Sequence, residues 1–408
     1  MDIKIDLERL KKDLETLAKF GRDPKGGISR PSFSQADREA QAWLKERICE
    51  AGLCHRRDGA GNTFGRLGGD GRAVLVGSHI DTVINGGAYD GAVGVMAALE
   101  CLRRIKESGM TLAKPLELVS FTDEEGNLVG DFLGSRAFAG LLNKKEMERG
   151  VTPFGRPLKE VLAGTEFSLE TILAAHKDRP EFEAYLELHI EQGATLETED
   201  IPIGVVERIA GKIYRQCSFV GKAQHGGTTP LELRQDAFLA TADFALKGTQ
   251  LVATKHYGSL ITVGKVTVQP GSFSVVPGKA DFTLDVRSVS GETLEVLDRK
   301  LQALAGDIAS TRGVTFFSKI IDRTVPIAFS DRVIGVIEEE CRRLSYPFMR
   351  MTSGAGHDAQ IVSGLADAGM IFIPCQDGVS HAPDEMIRWE DLEMGANLLL
   401  RALIHLAG

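Results

Sequence analysis

The chain has 408 residues, 43% of them hydrophobic and 26% charged, the balance of an ordinary globular protein but longer than one usual domain. Its net charge of −9, with no Lys/Arg block, argues against nucleic acid or an anionic membrane surface as partner, and no apolar run is long enough to span a bilayer. The six cysteines (49, 54, 101, 217, 341 and 375) show no Cys-x-x-Cys spacing, which fits reduced thiols and excludes a disulfide framework or a zinc ribbon. The amino-terminal Met1-Asp-Ile-Lys-Ile-Asp-Leu-Glu alternates charge and has no apolar core, so no secretory signal is expected and a cytoplasmic protein is.

Residues 5–21 and 35–52 read as amphipathic helices, separated by the loop Gly26-Gly-Ile-Ser-Arg-Pro-Ser-Phe-Ser. Residues 58–69 suggest a short strand between turns. Ala73-Val-Leu-Val-Gly is a buried strand, and Ala92, Met96, Leu99 and Leu102 recur at helical spacing, so a helix starts near Asp90. A second buried strand, Leu116-Glu-Leu-Val-Ser-Phe-Thr, runs into Asp123-Glu124-Glu125-Gly126. Residues 144–180 are polar and helical with loops, and Tyr185-Leu-Glu-Leu-His189-Ile is again a strand. This alternation predicts a doubly wound, mainly parallel sheet.

The pattern changes near residue 211. Strands are expected over 213–221, 259–268, 279–287 and 314–321, and helices over 233–247 and 291–311. The order βαββαβ predicts an inserted ferredoxin-like domain, 212–328, within an outer domain of 1–211 and 329–408. The first pattern then resumes with a helix over 331–344, a strand at Ala368-Gly-Met-Ile-Phe-Ile-Pro and a closing helix over 390–406.

Residues able to carry chemistry gather at the ends of the outer domain's strands. They are Gly77-Ser-His79-Ile-Asp81, then Asp90-Gly91, the Glu124-Glu125 pair, His189, and His381 in Gly378-Val-Ser-His-Ala-Pro-Asp-Glu. Open α/β sheets place their sites at the carboxyl ends of strands. Imidazole and carboxylate together suit Zn²⁺, and adjacent buried carboxylates call for a cation or a shared proton. The competing reading is a helix-capping Asp90, a solvated Glu-Glu pair and hydrogen-bonded loop histidines.

These strings, with Glu187-Leu-His189-Ile-Glu191-Gln192-Gly193 and Ser380-His381, resemble the binuclear zinc amidohydrolases related to aminoacylase and carboxypeptidase. More narrowly they resemble the hydantoinase/carbamoylase branch of N-carbamoyl-L-amino-acid hydrolases, allantoate amidohydrolases and β-ureidopropionases. The similarity runs from Gly26-Gly-Ile-Ser-Arg to Ser353-Gly-Ala-Gly-His357-Asp-Ala and beyond. The resemblance implies two divalent metal ions, Zn²⁺ first, with Mn²⁺, Co²⁺ or Ni²⁺ as alternatives. It implies Asp90 as the shared ligand, His79 and His189 completing one metal site, and Glu125 and His381 the other. Asp81 would orient His79, and Glu124 would be the general base, taking a proton from the attacking water and returning it to the leaving nitrogen.

In the insert, Gly221-Lys-Ala-Gln-His225-Gly-Gly resembles the family loop whose His stabilises the oxyanion from the neighbouring subunit, which implies a homodimer through this domain. Asp285-Val-Arg287 resembles the family pair whose Arg holds the substrate carboxylate, a task suited to its planar fork. Gln192 and His357 match positions that line the substrate pocket, although either could instead be a buried residue shaping loops. Two departures bear on the substrate. Ser274 stands where the family has Asn, with a hydroxyl in place of an amide. Asn127-Leu128-Val129 replaces Ser-Arg-Phe, and both changes are expected near the pocket. The expected reaction is hydrolysis of the carbamoyl amide of a small ureido acid, with allantoate as the rival substrate. Because relatives that are peptidases carry a carboxylate at the position of His189, a peptidase or aminoacylase ranks lower, and so does a non-catalytic binder that retains Glu124.

Overall fold

The computed structural model describes residues 3–408. Met1 and Asp2, where the stretch read as carrying no secretory signal begins, lie outside the described residues. The chain divides into two compact units: one runs to Glu207 and resumes at Phe329–Met351 and Ala355–Gly408, and the other comprises Arg208–Ala328 with Thr352–Gly354. Among the described residues, no helix is long and apolar enough to cross a membrane.

The first unit is built on a mixed α/β sheet. Its strands lie in the order Cys54–Arg57, Thr63–Leu67, Leu116–Phe121, Ala73–His79, Phe182–Ile190, Asp367–Ile373, Ile203–Ile209. The middle of the sheet, from Leu116–Phe121 to Asp367–Ile373, is parallel. Antiparallel strands flank it on both sides. Ala73–His79 and Leu116–Phe121 are buried at every position, as strands covered on both faces must be, which is why their sequences are mostly apolar. The flanking strands Cys54–Arg57 and Ile203–Ile209 escape a reading of sequence pattern. The first is Cys-His-Arg-Arg and half-exposed, without the alternation that marks a strand.

Helix Ala92–Glu107 presses closely on this sheet. A Cβ built at Gly94 would lie 2.4 Å from the Leu188 carbonyl oxygen and 2.7 Å from Ser78 Cβ. Helix Gln35–Glu50 is capped by Ser34, which accepts from Asp37 N at 3.1 Å. Helix Asp331–Leu344 buries Val333, Ile334, Val336, Ile337 and Cys341, a stripe at helical period.

The second unit is an antiparallel sheet in the order Val266–Gln269, Lys279–Ser288, Gly211–Val220, Thr315–Thr324, with Ser259–Thr262 also paired to Lys279–Ser288. Burial along Lys279–Ser288 alternates strictly. Phe219, Phe282 and Leu284 pack with Phe244, Leu297 and Leu301 of helices Ala237–Lys255 and Gly291–Arg312. Two expectations need correction. The stretch 259–268 is two strands with a break between Thr262 and Val266. The helix expected over 233–247 runs Ala237–Lys255, starting at the Asp236 cap and passing through Gly248. Gly248 continues the helix because it packs beneath Ile261 and Leu301, where a Cβ would already be tight at 3.1–3.4 Å.

Two glycines in helices should respond to alanine with opposite signs. Alanine gains ~1 kcal/mol of helix propensity over glycine, and nothing lies within 4 Å of a Cβ at Gly335, so Gly335→Ala should raise the melting temperature. At Gly94 the collision is with main chain, which cannot give way, and overpacking of this kind costs ~1–3 kcal/mol. Gly94→Ala should therefore lower the melting temperature. A rise would mean that the helix does not sit this close to the sheet.

Candidate metal centre

The residues expected to hold metal lie in or beside the loops that follow the parallel strands. His79 ends the Ala73–His79 strand, Glu124 and Glu125 follow Leu116–Phe121, and His189 is near the end of Phe182–Ile190. Asp90 and His381 come from the loops before Ala92–Glu107 and after Asp367–Ile373. Two groups of ligand atoms result, each within 4.8 Å of one another: His79, Asp90 and His189, and Asp90, Glu125 and His381. Asp90 belongs to both. Its Oδ1 is 3.1 Å from His189 Nε2, and its Oδ2 is 2.9 Å from His381 Nε2.

Asp90 does not cap the following helix. The N-cap is Gly91, with φ of 62° and no side-chain cap bond, so the helix-capping reading is set aside. Gly91 has a steric duty as well, because any Cβ there would fall 2.3 Å from His79 Nε2.

The histidine tautomers follow from their outer partners. His79 Nδ1 lies 3.1 Å from the carbonyl oxygen of Asp81, and His189 Nδ1 lies 2.9 Å from that of Ile190. A carbonyl only accepts, so both rings carry their proton on Nδ1 and turn the Nε2 lone pair inward. Gly91 N donates to His189 Nε2 at 3.2 Å, in keeping with that assignment. Each inward nitrogen then faces carboxylate oxygen: His189 faces Asp90, and His79 Nε2 faces Glu124 Oε2 at 3.7 Å. Electron-rich atoms this close call for a cation among them. The donor set therefore fits divalent metal.

The electrostatics of the protein alone point the same way. Burial pushes the Glu124 carboxyl well above the usual range; His79 opposes this, while Glu125 and Asp358 add to it. Burial and Asp90 raise Glu125 to about 8. Asp90 is held well below the usual range despite its burial, by His189 and His381. His381 rises to about 9 through its bond to Asp90, and burial fails to keep His79 low against the Glu124, Asp81 and Asp90 carboxylates. Without a cation, Glu124 and Glu125 hold protons and His79 and His381 gain them, so the inward His79 nitrogen keeps its lone pair only where another positive charge replaces that proton.

The Asp81 carboxylate makes its hydrogen bonds to the main chain of the acidic pair, accepting from Glu124 N and Glu125 N at 3.3 Å each, and stands 3.6 Å from His79 Nδ1. Gln192 Nε2 donates to Asp90 Oδ2 at 3.0 Å. His357 is buried behind the site with its ring edge on His189, centroids 4.4 Å apart, and burial and His189 keep it neutral. Leu128 and Val129, expected near the pocket, are instead packed in an apolar cluster with Phe33, Leu133 and Met147. Asp123, Gln192 and His381 have φ of 56°, 57° and 56°, a left-handed backbone that costs a non-glycine residue energy and recurs at functional sites.

In the second unit, exposed His225 pairs across a two-residue ribbon with Val275, and Gly226 N donates to the carbonyl of Ser274 at 2.6 Å. Arg287 Nε lies 3.0 and 3.2 Å from the two Asp285 oxygens, and its Nη2 donates to the Tyr214 hydroxyl at 2.9 Å. Sequence reasoning missed Glu385, which accepts from Tyr89 N and Asp90 N at 2.8 and 3.0 Å. Its only trace in the sequence is an acid four residues beyond His381.

The peptidase family M20/M25/M40 matches residues 75–405. An N-carbamoyl-L-amino acid amidohydrolase of Geobacillus stearothermophilus is 36% identical over 404 residues, 98% of each chain. An allantoate amidohydrolase of Bacillus subtilis (strain 168) is 33% identical over 97% of this chain and 96% of its own. A crystal structure of an amidase of the hydantoinase/carbamoylase family from Burkholderia multivorans matches with a TM-score of 0.92 at 33% identity, covering 100% of this chain and 99% of that one. With strand-end histidines and acids gathered on Asp90 and similarity along almost the whole chain, this protein belongs to the peptidase family M20/M25/M40, among its hydantoinase/carbamoylase members.

Proposed function

We propose that the protein is a metal-dependent amidohydrolase that cleaves the ureido C–N bond of N-carbamoyl-L-amino acids or similar ureido acids, with one water consumed and amine, CO₂ and ammonia released. The observation that carries this reading is the pair of ligand groups sharing Asp90, with Glu124 beside them. Similarity to an N-carbamoyl-L-amino acid amidohydrolase supports the substrate class. Allantoate is the second reading, supported by the Bacillus subtilis relative.

In this reading His79, His189 and Asp90 would hold one divalent ion, and Asp90, Glu125 and His381 a second. Such ions, when bound, polarise the ureido carbonyl and acidify water toward neutral pH. Glu124 takes a proton from the attacking water and delivers it to the leaving nitrogen. Its side chain is 10% exposed, and a carboxyl raised by burial is suited to that work. Asp81 keeps the Glu124–Glu125 main chain in place, and Gln192 restrains Asp90 on the substrate side. His381, with 48% of its side chain exposed, gives the centre an open flank.

Arg287 binds the substrate carboxylate, which must share the guanidinium with Asp285 or displace it. Ser274, beside His225, alters one polar contact. His357 is assigned to the pocket through the ring of His189. We further propose a homodimer formed through the inserted unit, with His225 stabilising the oxyanion of the neighbouring subunit. Exposed Phe317 and Ile321 on strand Thr315–Thr324 of that unit support an apolar contact there.

Chelation should abolish ammonia release and added divalent metal restore it. Asp90→Ala should lose metal from both groups, His381→Ala from one; metal analysis decides, and full activity in metal-free protein would remove the proposal. Glu124→Gln should cut turnover at least ~10²-fold with metal retained, whereas Glu125→Gln should lose metal; exchanged phenotypes would reverse the two roles. Ammonia release across N-carbamoyl amino acids, N-carbamoyl-β-alanine and allantoate identifies the substrate. In that assay Arg287→Lys should impair substrates with an α-carboxylate far more than their uncharged amides, and equal losses would leave Arg287 a structural role.

A further inference from the structure

We infer that Glu385 is a positioning residue that fixes the main chain carrying Asp90 and so aims the two Asp90 oxygens at His189 and His381. This rests on Asp90 being the ligand common to both groups. Glu385 is 2% exposed. Its Oε1 accepts two main-chain N–H groups, Tyr89 at 2.8 Å and Asp90 at 3.0 Å. Its Oε2 accepts the Ser380 hydroxyl at 2.9 Å.

Ser380 Oγ in turn accepts from Gln192 Nε2 at 3.4 Å, and that same nitrogen donates to Asp90 Oδ2 at 3.0 Å. The contacts close a ring around Asp90. Glu385 holds its main chain, Gln192 holds its carboxylate, and Ser380 links the two holders. Ser380 adjoins His381, so the ring also couples the loops that supply two ligands of the same group. Earlier in the stretch between His79 and helix Ala92–Glu107, Ile80, Thr82, Asn85 and Gly86 are tied to the segment Ile28–Arg30, whereas the main-chain N–H groups of Tyr89 and Asp90 are held by Glu385.

Two features argue that the placement is specific. A buried carboxylate beside Asp90 is an unfavourable neighbour, yet Glu385 is held there by three hydrogen bonds. A residue serving only to fill space would be better uncharged there. Moreover, Gly87 leaves room for it, since a Cβ at Gly87 would lie 2.1 Å from Glu385 Cδ. The loop and the carboxylate are fitted to one another without a spare methyl's width.

The test is Co²⁺ titration of the full-length protein stripped by chelation, read by visible absorption, with melting temperature in parallel. Glu385→Ala leaves two buried N–H groups unpaired and should weaken Co²⁺ binding at least ~10-fold, the scale of lost outer partners of metal ligands. Glu385→Gln keeps an acceptor oxygen for both N–H groups and should stay within about threefold of wild type. Gly87→Ala keeps Glu385 but displaces it, and should reproduce Glu385→Ala; the double variant should be no weaker than either single, because both remove one contact. Unchanged Co²⁺ affinity in Glu385→Ala with a lowered melting temperature would reduce Glu385 to a structural brace and overturn the inference. A Gln variant as damaged as Ala would overturn it too, showing that charge and not anchoring matters. Wild type that binds no Co²⁺ would defeat the metal centre itself. Wild type that binds Co²⁺ but releases no ammonia from ureido acids would defeat only the proposed reaction, while the affinity series still decides the role of Glu385.

Discussion

Asp90 stands between two histidines, with one carboxylate oxygen turned to each, in a pocket where Glu124 and Glu125 are also buried. Burying several carboxylates together is costly, since each desolvated charge raises the cost of the next. The ion-pair partners that these three acids have are histidines, and the Nε2 atoms of His79 and His189 point toward them. The protein alone cannot neutralise this arrangement without moving protons. Divalent cations would do so directly, and the rest of the first unit can be understood as the frame that keeps these side chains together until they arrive.

That frame has a rigid and a strained part. The rigid part is the parallel middle of the sheet, buried on both faces, which fixes where His79, the acidic pair and His189 emerge. Fully buried Arg30 reinforces it, donating to the carbonyls of Ile80, Leu17 and Phe20 and so bracing the chain just before Asp81. The strained part is the set of loops, where Asp123, Gln192 and His381 take left-handed backbone conformations. Side-chain ties hold these turns, with Leu128 N bonded to Asp123 Oδ2 and Gln192 bonded to Asp90. A site on short, braced loops at the end of a stiff sheet loses little geometry when it binds a ligand.

The second unit contributes differently. Its antiparallel sheet is buried on the helix-covered side, while Phe317 and Ile321 of strand Thr315–Thr324 remain exposed. Arg287 is engaged by its own neighbour Asp285 and by Tyr214. That arrangement orients the guanidinium but also sets a competitor against any incoming carboxylate.

Much of this was legible in one dimension because the governing patterns are local. Buried strands advertise themselves as apolar runs, amphipathic helices as stripes, and a ligand immediately after such a strand is placed at the sheet's carboxyl end by that fact alone. The gathering of His79, Asp90, the Glu124-Glu125 pair, His189 and His381 could therefore be read from the chain, whereas the choice of Glu125 over Glu124 as a ligand came only from the family resemblance. Other features depend on what packs against what. Cys54–Arg57 becomes a strand because Thr63–Leu67 lies beside it, and helix Ala237–Lys255 continues through Gly248, where Ile261 and Leu301 pack close. Leu128 and Val129 turn into the apolar cluster, though their position beside the acidic pair suggested the pocket. The tie from Glu385 to Asp90 joins residues 295 apart; no local period records such a contact, and only the folded chain, by bringing two loops against one another, decides it.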